Sequence, residues 1–236
     1  MEVCAEIGIN HGGDMDLAHE MIRQAAICGA DYVKFQLYDP REIFADEPHL
    51  IEEGLECMIT REHFDRILEW SYEEGIEPFF SVFDEERLEW TEDADVLGYK
   101  LASRSVKKTP DFCRKVLDLG KDTYVSLGMS TIAEAHFLQG YDNARFLYCV
   151  SKYPAEYSDY YDQPFDYEDS FYYGISDHTM GIETSLAAAG RGAQFIEKHF
   201  TLSKTLKGSD HKCSITPDEL ADLVKYARLI NKAIGG

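Results

Sequence analysis

Between Tyr172 and Ser214 the chain passes through two short apolar stretches that each finish in a histidine with polar neighbours. Tyr172 to Ile175 leads into Ser176-Asp177-His178-Thr179, and Gln194 to Glu197 leads into Lys198-His199-Phe200-Thr201. Between them, Ile182 to Gly190 alternates small and apolar residues in a pattern suited to a packed helix. Strand, helix, strand in that order predicts two parallel strands, with His178 and His199 at the same end of the sheet. Two imidazoles at neighbouring strand ends suit a divalent metal, and both are candidate metal ligands. Strand-end histidines also serve plain structural roles, so this spacing alone leaves both readings open.

The same alternation runs through the rest of the chain. Val3 to Ile9 is the first apolar run, closing on Asn10-His11-Gly12-Gly13. Asp16 is placed to cap a helix through about Cys28, which Gly29 ends. Tyr32 to Leu37 reads as strand two, followed by a long polar segment from Tyr38 to Ile59. Thr60 caps a helix burying Phe64, Ile67, Leu68 and Tyr72, stopped at Gly75. Pro78 to Phe83 is strand three, with a short acidic helix from Glu85 to Trp90, and Val96 to Ala102 is strand four. Thr109-Pro110 opens the next helix, since proline suits a first helical position. Thr123 to Leu127 is strand five, and Thr131 with Glu134 forms a capping box for a fifth helix before Gly140. Ala144 to Val150 is strand six, and Ser151 to Ser170 is irregular, with at most a short helix. Thr216-Pro217 starts a last helix. Eight strand-then-helix units in 236 residues predict a single-domain α/β protein, a (β/α)8 TIM barrel over residues 1–236. A doubly wound open sheet is the alternative, but it rarely needs eight strands and no Gly-x-Gly-x-x-Gly follows strand one.

Composition narrows the function. A formal net charge of −21 argues against nucleic-acid binding, because a phosphate backbone needs a basic stripe. An anionic substrate would be repelled by that overall field, so its site needs local cations. No apolar run approaches a membrane span and no signal-peptide pattern opens the chain. Six scattered cysteines without Cys-x-x-Cys spacing read as reduced thiols, and the expectation is a cytoplasmic protein.

Barrel active sites collect at the C-terminal ends of the strands. Those ends carry Glu6, Lys34, Gln36, Ser81, Lys100, Ser103, Ser126, Ser151, Ser176 to His178, and Lys198-His199. Lys34 and Lys100 sit inside otherwise apolar or aromatic strands, where an unpaired charge is costly. With the serines they make a candidate phosphate cradle, or each pairs with a carboxylate in the barrel interior. Glu6 is either such a partner or a proton-transfer group. Asp210, in Gly208-Ser209-Asp210-His211, lies on a loop placed to fold over the mouth. Asp177 either orients an imidazole or caps a helix. Trp70 and Trp90 read as helix packing. The tyrosines from Tyr153 to Tyr173 read as surface loop residues or a lid.

With these residues in place the chain resembles the sialic acid synthase (N-acetylneuraminate synthase) family over nearly its whole length. The resemblance rests on Ala5-Glu-Ile-Gly-Ile-Asn-His-Gly12, Val33-Lys-Phe-Gln36, Tyr99-Lys-Leu-Ala-Ser103, Ser126-Leu-Gly-Met129, Tyr153-Pro154, Ser176-Asp-His-Thr179, Glu197-Lys-His-Phe-Thr201 and Gly208-Ser-Asp210. Each piece is weak alone; their order and spacing together are specific. The resemblance implies a barrel that condenses phosphoenolpyruvate with an N-acylated amino sugar such as N-acetylmannosamine. It implies a divalent metal, manganese first with magnesium or cobalt as alternatives, on His178 and His199. It also implies that Lys34, Lys100, Ser103, Ser126 and Ser176 bind phosphoenolpyruvate, that Glu6 handles a proton and that Asp210 meets the sugar. Gln36, Ser81, Ser151 and Tyr153 complete the expected substrate-binding set.

Family members usually continue into a small antifreeze-like capping domain, and this chain stops at Gly236. A homodimer or a separate capping chain is therefore an expected partner. Arg104-Ser105 stands where many members have glycine and glutamate, and Val82 where threonine is common. Arg104 is read either as meeting a carboxylate or phosphate on an altered acceptor, or as a surface charge. A pyruvate-dependent aldolase on the same barrel, and a non-catalytic sugar- or metal-binding remnant, are the competing functions.

Overall fold

Parallel pairing runs unbroken around the molecule. In the computed structural model, which describes residues 1–235, the strands follow one another in sequence order. They are β1 (Glu2–Gly8), β2 (Tyr32–Leu37), β3 (Glu77–Val82), β4 (Gly98–Leu101), β5 (Asp122–Ser126), β6 (Ala144–Cys149), β7 (Gly174–Asp177) and β8 (Phe195–His199). β1 pairs with both β2 and β8, which closes the barrel. The helices are α1 (Met15–Ile27), α2 (Pro40–Ile43), α3 (Ile51–Glu56), α4 (Arg61–Glu74), α5 (Glu85–Asp93), α6 (Ser103–Lys108), α7 (Pro110–Asp118), α8 (Glu183–Gly190) and α9 (Pro217–Ile234). The expected TIM barrel is the observed fold.

Two cores follow from the two faces of the strands. Outward residues such as Val3, Ile7, Val33, Phe35, Phe80, Tyr99, Val125 and Ile196 are buried against the surrounding helices. Inward residues Cys4, Phe79, Tyr124, Leu147 and Phe195, with Tyr32 and Tyr173 packed on them, fill the N-terminal end of the barrel. Tyr124 and Phe195 have ring centres 4.1 Å apart, and Glu2 accepts from the hydroxyls of Tyr32 (2.8 Å) and Tyr124 (3.0 Å). This aromatic plug closes one end, so ligands have access only from the other.

Several local expectations are corrected. Asp14, not Asp16, caps α1, accepting from the backbone of Asp16 and Leu17. Tyr72 is 54% exposed rather than buried on α4. Two short helices, α6 and α7, stand where one was expected to open at Thr109-Pro110. The fifth helix does not form. Its capping box does, with Glu134 accepting from the backbone of Thr131 at 2.8 Å. Yet Gly140 at φ +105° interrupts the chain and only a 3-10 turn, His136–Leu138, intervenes. A cap satisfies backbone donors but cannot offset helix nucleation over so few residues. The β6–β7 connection likewise carries only a 3-10 turn, Tyr157–Tyr160, so two of the eight units lack an α-helix among the described residues. Trp70 and Trp90 are buried in helix packing as expected.

Asp177 neither orients an imidazole nor simply caps a helix. It points outward from β7, accepting from Thr179 (backbone and hydroxyl, both 2.8 Å) and Ser185 (2.7 Å), and pairs with the Lys198 ammonium at 3.0 Å. Both members of that pair are fully buried. Lys198 therefore belongs to the sheet–helix layer and not to the barrel mouth. The pair fixes the turn that carries His178.

His11, just after β1, is buried, and its Nδ1 accepts from the Gly13 backbone, which leaves Nε2 with no partner. Burial, helped by nearby His63 and opposed by Asp14, pulls its pKa from 6.5 down to about 4. Below 6.5 the unfolded chain takes up this proton before the fold does, so His11 makes stability fall with pH until about 4, where the loss levels off. The shift corresponds to about 3 kcal/mol. Urea unfolding of the wild type and His11→Leu across pH 7 to 4 should show the wild type losing that much more stability than the variant.

Candidate active site

Side chains along a strand alternate faces, so inward residues climb the barrel in steps of two. One step above the aromatic plug lie Glu6, Lys34, Ser81, Lys100, Ser126, Cys149, Ser176 and Glu197, and all eight line a deep pocket of about 50 Å³. The next step brings Gln36, Ala102, Ser151, His178 and His199 to the rim. Above them a wider chamber of about 560 Å³ is walled by Tyr38, Ile43, Phe44, Phe83, Arg104, Tyr153 and Asp210, among others. Every residue in the expected site set lines one or both cavities.

The floor is a charge network. Lys34 Nζ lies 2.8 Å from Glu6 Oε2, 2.8 Å from Ser81 Oγ and 3.5 Å from Glu197 Oε2. Lys100 Nζ donates to Ser126 Oγ at 2.8 Å and lies 3.7 Å from Glu197 Oε1. Ser176 donates to that same oxygen at 2.7 Å. Glu197 thus stands between the two ammonium groups. Burial opposes its charge, but Lys100 and Lys34, with the Ser176 hydroxyl, hold it down at about 2. For Lys34, burial is outweighed by Glu197 and Glu6, which hold it above its ordinary value. For Lys100, burial prevails over Glu197, and Lys34 adds repulsion, so it is held below. Lys100 is the less compensated cation and the one an incoming anion would help most.

Each lysine therefore has carboxylate company in the barrel interior, and both line the deep pocket. Glu6 is an ion-pair partner of Lys34, and its other oxygen accepts from Gln36 Nε2 at 2.9 Å. Gly8 makes room for this arrangement. It has φ +56° at a register shift in β1, and a Cβ there would sit 3.0 Å from Glu6 Oε1 and 3.1 Å from Gln36 Nε2.

Ser103 opens α6 at the rim and accepts from the Gly128 backbone at 2.8 Å. The irregular segment after β6 supplies two tyrosines. Tyr160 is buried, donating to Ser176 O at 2.9 Å and accepting from the backbones of His178 at 3.1 Å and Val150 at 3.3 Å, which ties the ends of β6 and β7 together. Tyr153, which precedes a cis proline, lies 4.2 Å from the His178 ring and 5.8 Å from His199, while Tyr157 and Tyr161 are exposed.

The two histidines face each other with ring centres 5.3 Å apart. His178 Nδ1 is 2.6 Å from the carbonyl of Val150, an acceptor, so Nδ1 carries the proton and the Nε2 lone pair is free. His199 Nδ1 is buried with no hydrogen-bond partner, 3.7 Å from Asp210 Oδ2. Burial, against the pull of Asp210, holds His199 below its ordinary value and hence neutral. Burial disfavours charge on His178 too, but Cys149 and the Val150 carbonyl outweigh it and hold His178 above its ordinary value. With Nδ1 of His178 committed to Val150 and a ring nitrogen of His199 orphaned, the pair fits an open metal site, which would take His178 as the neutral imidazole. Among the described residues no group of three or more His, Cys, Asp or Glu is placed to hold a metal ion, so positions beyond the two imidazoles would fall to water or substrate oxygens.

Glu197 and Cys149 are members of the floor that the sequence reading passed over. Cys149 Sγ lies 3.8 Å from Ser103 Oγ and 3.9 Å from His178 Nδ1.

A (β/α)8 barrel with a lysine–carboxylate floor beneath a histidine pair at the C-terminal strand ends has the layout of a small-molecule active site. Within that layout the affiliation is specific. The NeuB family model matches residues 21–236, and the chain belongs to the NeuB family. It is 34% identical to the human N-acetylneuraminate-9-phosphate synthase over 99% of this chain and 71% of that protein. It is 32% identical to the N,N'-diacetyllegionaminic acid synthase of Campylobacter jejuni, over 99% of this chain and 77% of that one. The crystal structure of the N-acetylneuraminic acid (sialic acid) synthetase of Leptospira borgpetersenii, in complex with citrate, superposes with a TM-score of 0.92 at 31% identity. That match covers 99% of this chain and 85% of the other. No described helix is long and apolar enough to cross a membrane.

If Glu197 balances both lysines, removing its charge leaves Lys100 uncompensated and Lys34 with Glu6 alone. Glu197→Gln should cost about 3–5 kcal/mol in urea unfolding. The double variant with Lys100→Met should recover part of that loss, whereas equal or greater loss in the double would show that packing, not charge, is at stake.

Proposed function

We propose that the chain condenses phosphoenolpyruvate with an N-acylated amino sugar, N-acetylmannosamine or a close analogue, giving a nonulosonic (sialic-type) acid and inorganic phosphate. What carries this reading is the stacking of Lys34 and Lys100 beneath His178 and His199 in a family whose named relatives are synthases of such acids.

The floor holds phosphoenolpyruvate. Lys34 and Lys100, with the hydroxyls of Ser81, Ser103, Ser126 and Ser176, offer ammonium and hydroxyl donors to its phosphate and carboxylate. The sugar occupies the wider chamber above, where Gln36, Ser151, Tyr153 and Asp210 offer hydrogen-bonding partners. His178 and His199 would hold a divalent metal, manganese by preference, which when bound supplies Lewis-acid polarisation of the sugar aldehyde. Carbon–carbon bond formation joins C3 of the enol to the aldehyde carbon and leaves positive charge at C2. Glu6 and Glu197 lie beside that position and offset the charge. Water adds at C2 and yields a proton to Glu6, and the former aldehyde oxygen takes up a proton to become a hydroxyl. Cleavage of the C2–O bond releases phosphate from the tetrahedral intermediate and leaves the C2 ketone. Stacking the two ligands in one tube converts an encounter in solution into a positioned reaction. A cytoplasmic setting, in which the six free thiols stay reduced, belongs to this proposal. So does a partner copy or capping chain over the open chamber.

Phosphate release from phosphoenolpyruvate, followed with manganese and a panel of N-acyl amino sugars, tests the proposal. Release should depend on sugar, vanish in His178→Ala, stop on chelation and return with manganese. Product formed from pyruvate in place of phosphoenolpyruvate would favour an aldolase. No release with any sugar, even with an isolated capping domain added, would favour a binding remnant.

A further inference from the structure

One side of the sugar chamber is lined by Ile43 and Phe44, which belong to a segment with little structure of its own. α2 is a single turn, Pro40–Ile43, and it continues through Phe44 to Glu47 before the next 3-10 turn. Its near end is anchored: Asp39 caps the turn, its backbone donates to Asp84 Oδ2 at 3.1 Å, and Pro40 packs so tightly on Gly54 that a Cβ there would fall 2.6 Å away. At its far end, Arg104 makes the only hydrogen bonds or ion pair from the barrel body to residues 43–47 among the described residues. Arg104 Nη2 donates to Ile43 O and to Glu47 Oε1, both at 2.8 Å. The guanidinium also lies over the Phe44 ring, 5.2 Å from its centre. Phe44 meets Tyr38 edge-on at 6.1 Å, and Tyr38 meets Phe83 edge-on at 5.9 Å, so one cation holds a row of aromatic rings along the chamber wall. Arg104 is thus not a free surface charge: Nη2 is committed to Ile43 and Glu47, while the guanidinium still borders both cavities.

We propose that Arg104 is a positioning residue that clamps residues 43–47 to the barrel and thereby sets the sugar side of the chamber. The inference rests on the sugar-accepting function proposed above. Arg104 follows Ser103 on the first turn of α6, so the element that presents a hydroxyl to the deep pocket also grips the wall of the chamber above it. Without the clamp, residues 43–47 become mobile and sugar binding must order them first, which lowers apparent affinity by the fraction of chains already in place. Phosphoenolpyruvate, bound below, would be little affected. Direct reading of an anionic sugar by Arg104 is the rival account. Against it, one terminal nitrogen is already committed twice, and the adjoining side cavity places Glu42 and Asp46 beside Arg104 and Lys108.

Steady-state kinetics and amide hydrogen exchange on the wild type, Arg104→Ala, Arg104→Lys and Glu47→Gln decide the matter. In Arg104→Ala the KM for the sugar should rise about tenfold, the loss of a charge-assisted tie. The KM for phosphoenolpyruvate and kcat should stay within about twofold. Arg104→Lys and Glu47→Gln should shift the sugar KM less in the same direction, and combining Glu47→Gln with Arg104→Ala should add nothing further. Amides of residues 43–47 should exchange faster in Arg104→Ala. An unchanged sugar KM in an active enzyme, or unchanged exchange, overturns the clamp. A loss confined to sugars that carry a phosphate or carboxylate overturns it in favour of direct anion contact. A wild type without sugar-dependent release refutes the condensation reading instead, and the exchange result then judges the clamp alone.

Discussion

Two lysines, two glutamates and a ring of hydroxyls share the interior of a closed sheet, and the position of Glu197 between the ammonium groups is what lets that interior exist. A barrel core of this width is ordinarily filled by branched apolar side chains. Here Glu6 compensates Lys34, while Glu197 must serve both Lys34 and Lys100, so Lys100 is left the less compensated. A network of this kind contributes little net stability, because desolvation consumes most of the attraction. Its effect is to hold fixed charges in a dry pocket where a small anion gains more than it would in water.

The surrounding structure protects that arrangement. Beneath it the Tyr124–Phe195 packing keeps solvent from the floor. Outside it a second buried pair, Lys198 with Asp177, stiffens the turn after β7, and Tyr160 ties that turn to Val150 at the end of β6. The two networks meet on β8, where the neighbours Glu197 and Lys198 face opposite sides of the sheet. Neither the β5–β6 nor the β6–β7 connection forms an α-helix among the described residues, and in the second the aromatic side chains of the irregular segment take over the packing.

Much of this was legible in the sequence. Alternating apolar runs and helical stripes predict the barrel, and strand-end polar residues predict most of the pocket lining. What escaped did so for identifiable reasons. In Phe195-Ile-Glu-Lys-His199 the glutamate reads as the tail of an apolar run, and Lys198 reads as a neighbour of His199. Counting back two residues from His199 lands on Glu197, just as counting back from His178 lands on Ser176, and the same rule turns Lys198 outward. Cys149 emerges by the same step from Ser151. The Thr131–Glu134 cap is real, but a cap marks where a helix can start, not that enough residues follow to sustain it. The grip of Arg104 on Ile43 and Glu47 spans 61 and 57 residues of chain, and no local pattern announces such a contact.

The barrel is open at one end only, and its two cavities are stacked, the narrow one of about 50 Å³ below the wide one of about 560 Å³. Whatever occupies the floor must pass through the chamber before anything settles there, and it is trapped while the chamber is filled. For the two ligands proposed above, spatial order would thus become temporal order: the floor ligand would arrive first, and whatever remained on the floor after reaction would leave last. A tube closed by aromatic rings imposes a sequence of events without any moving part.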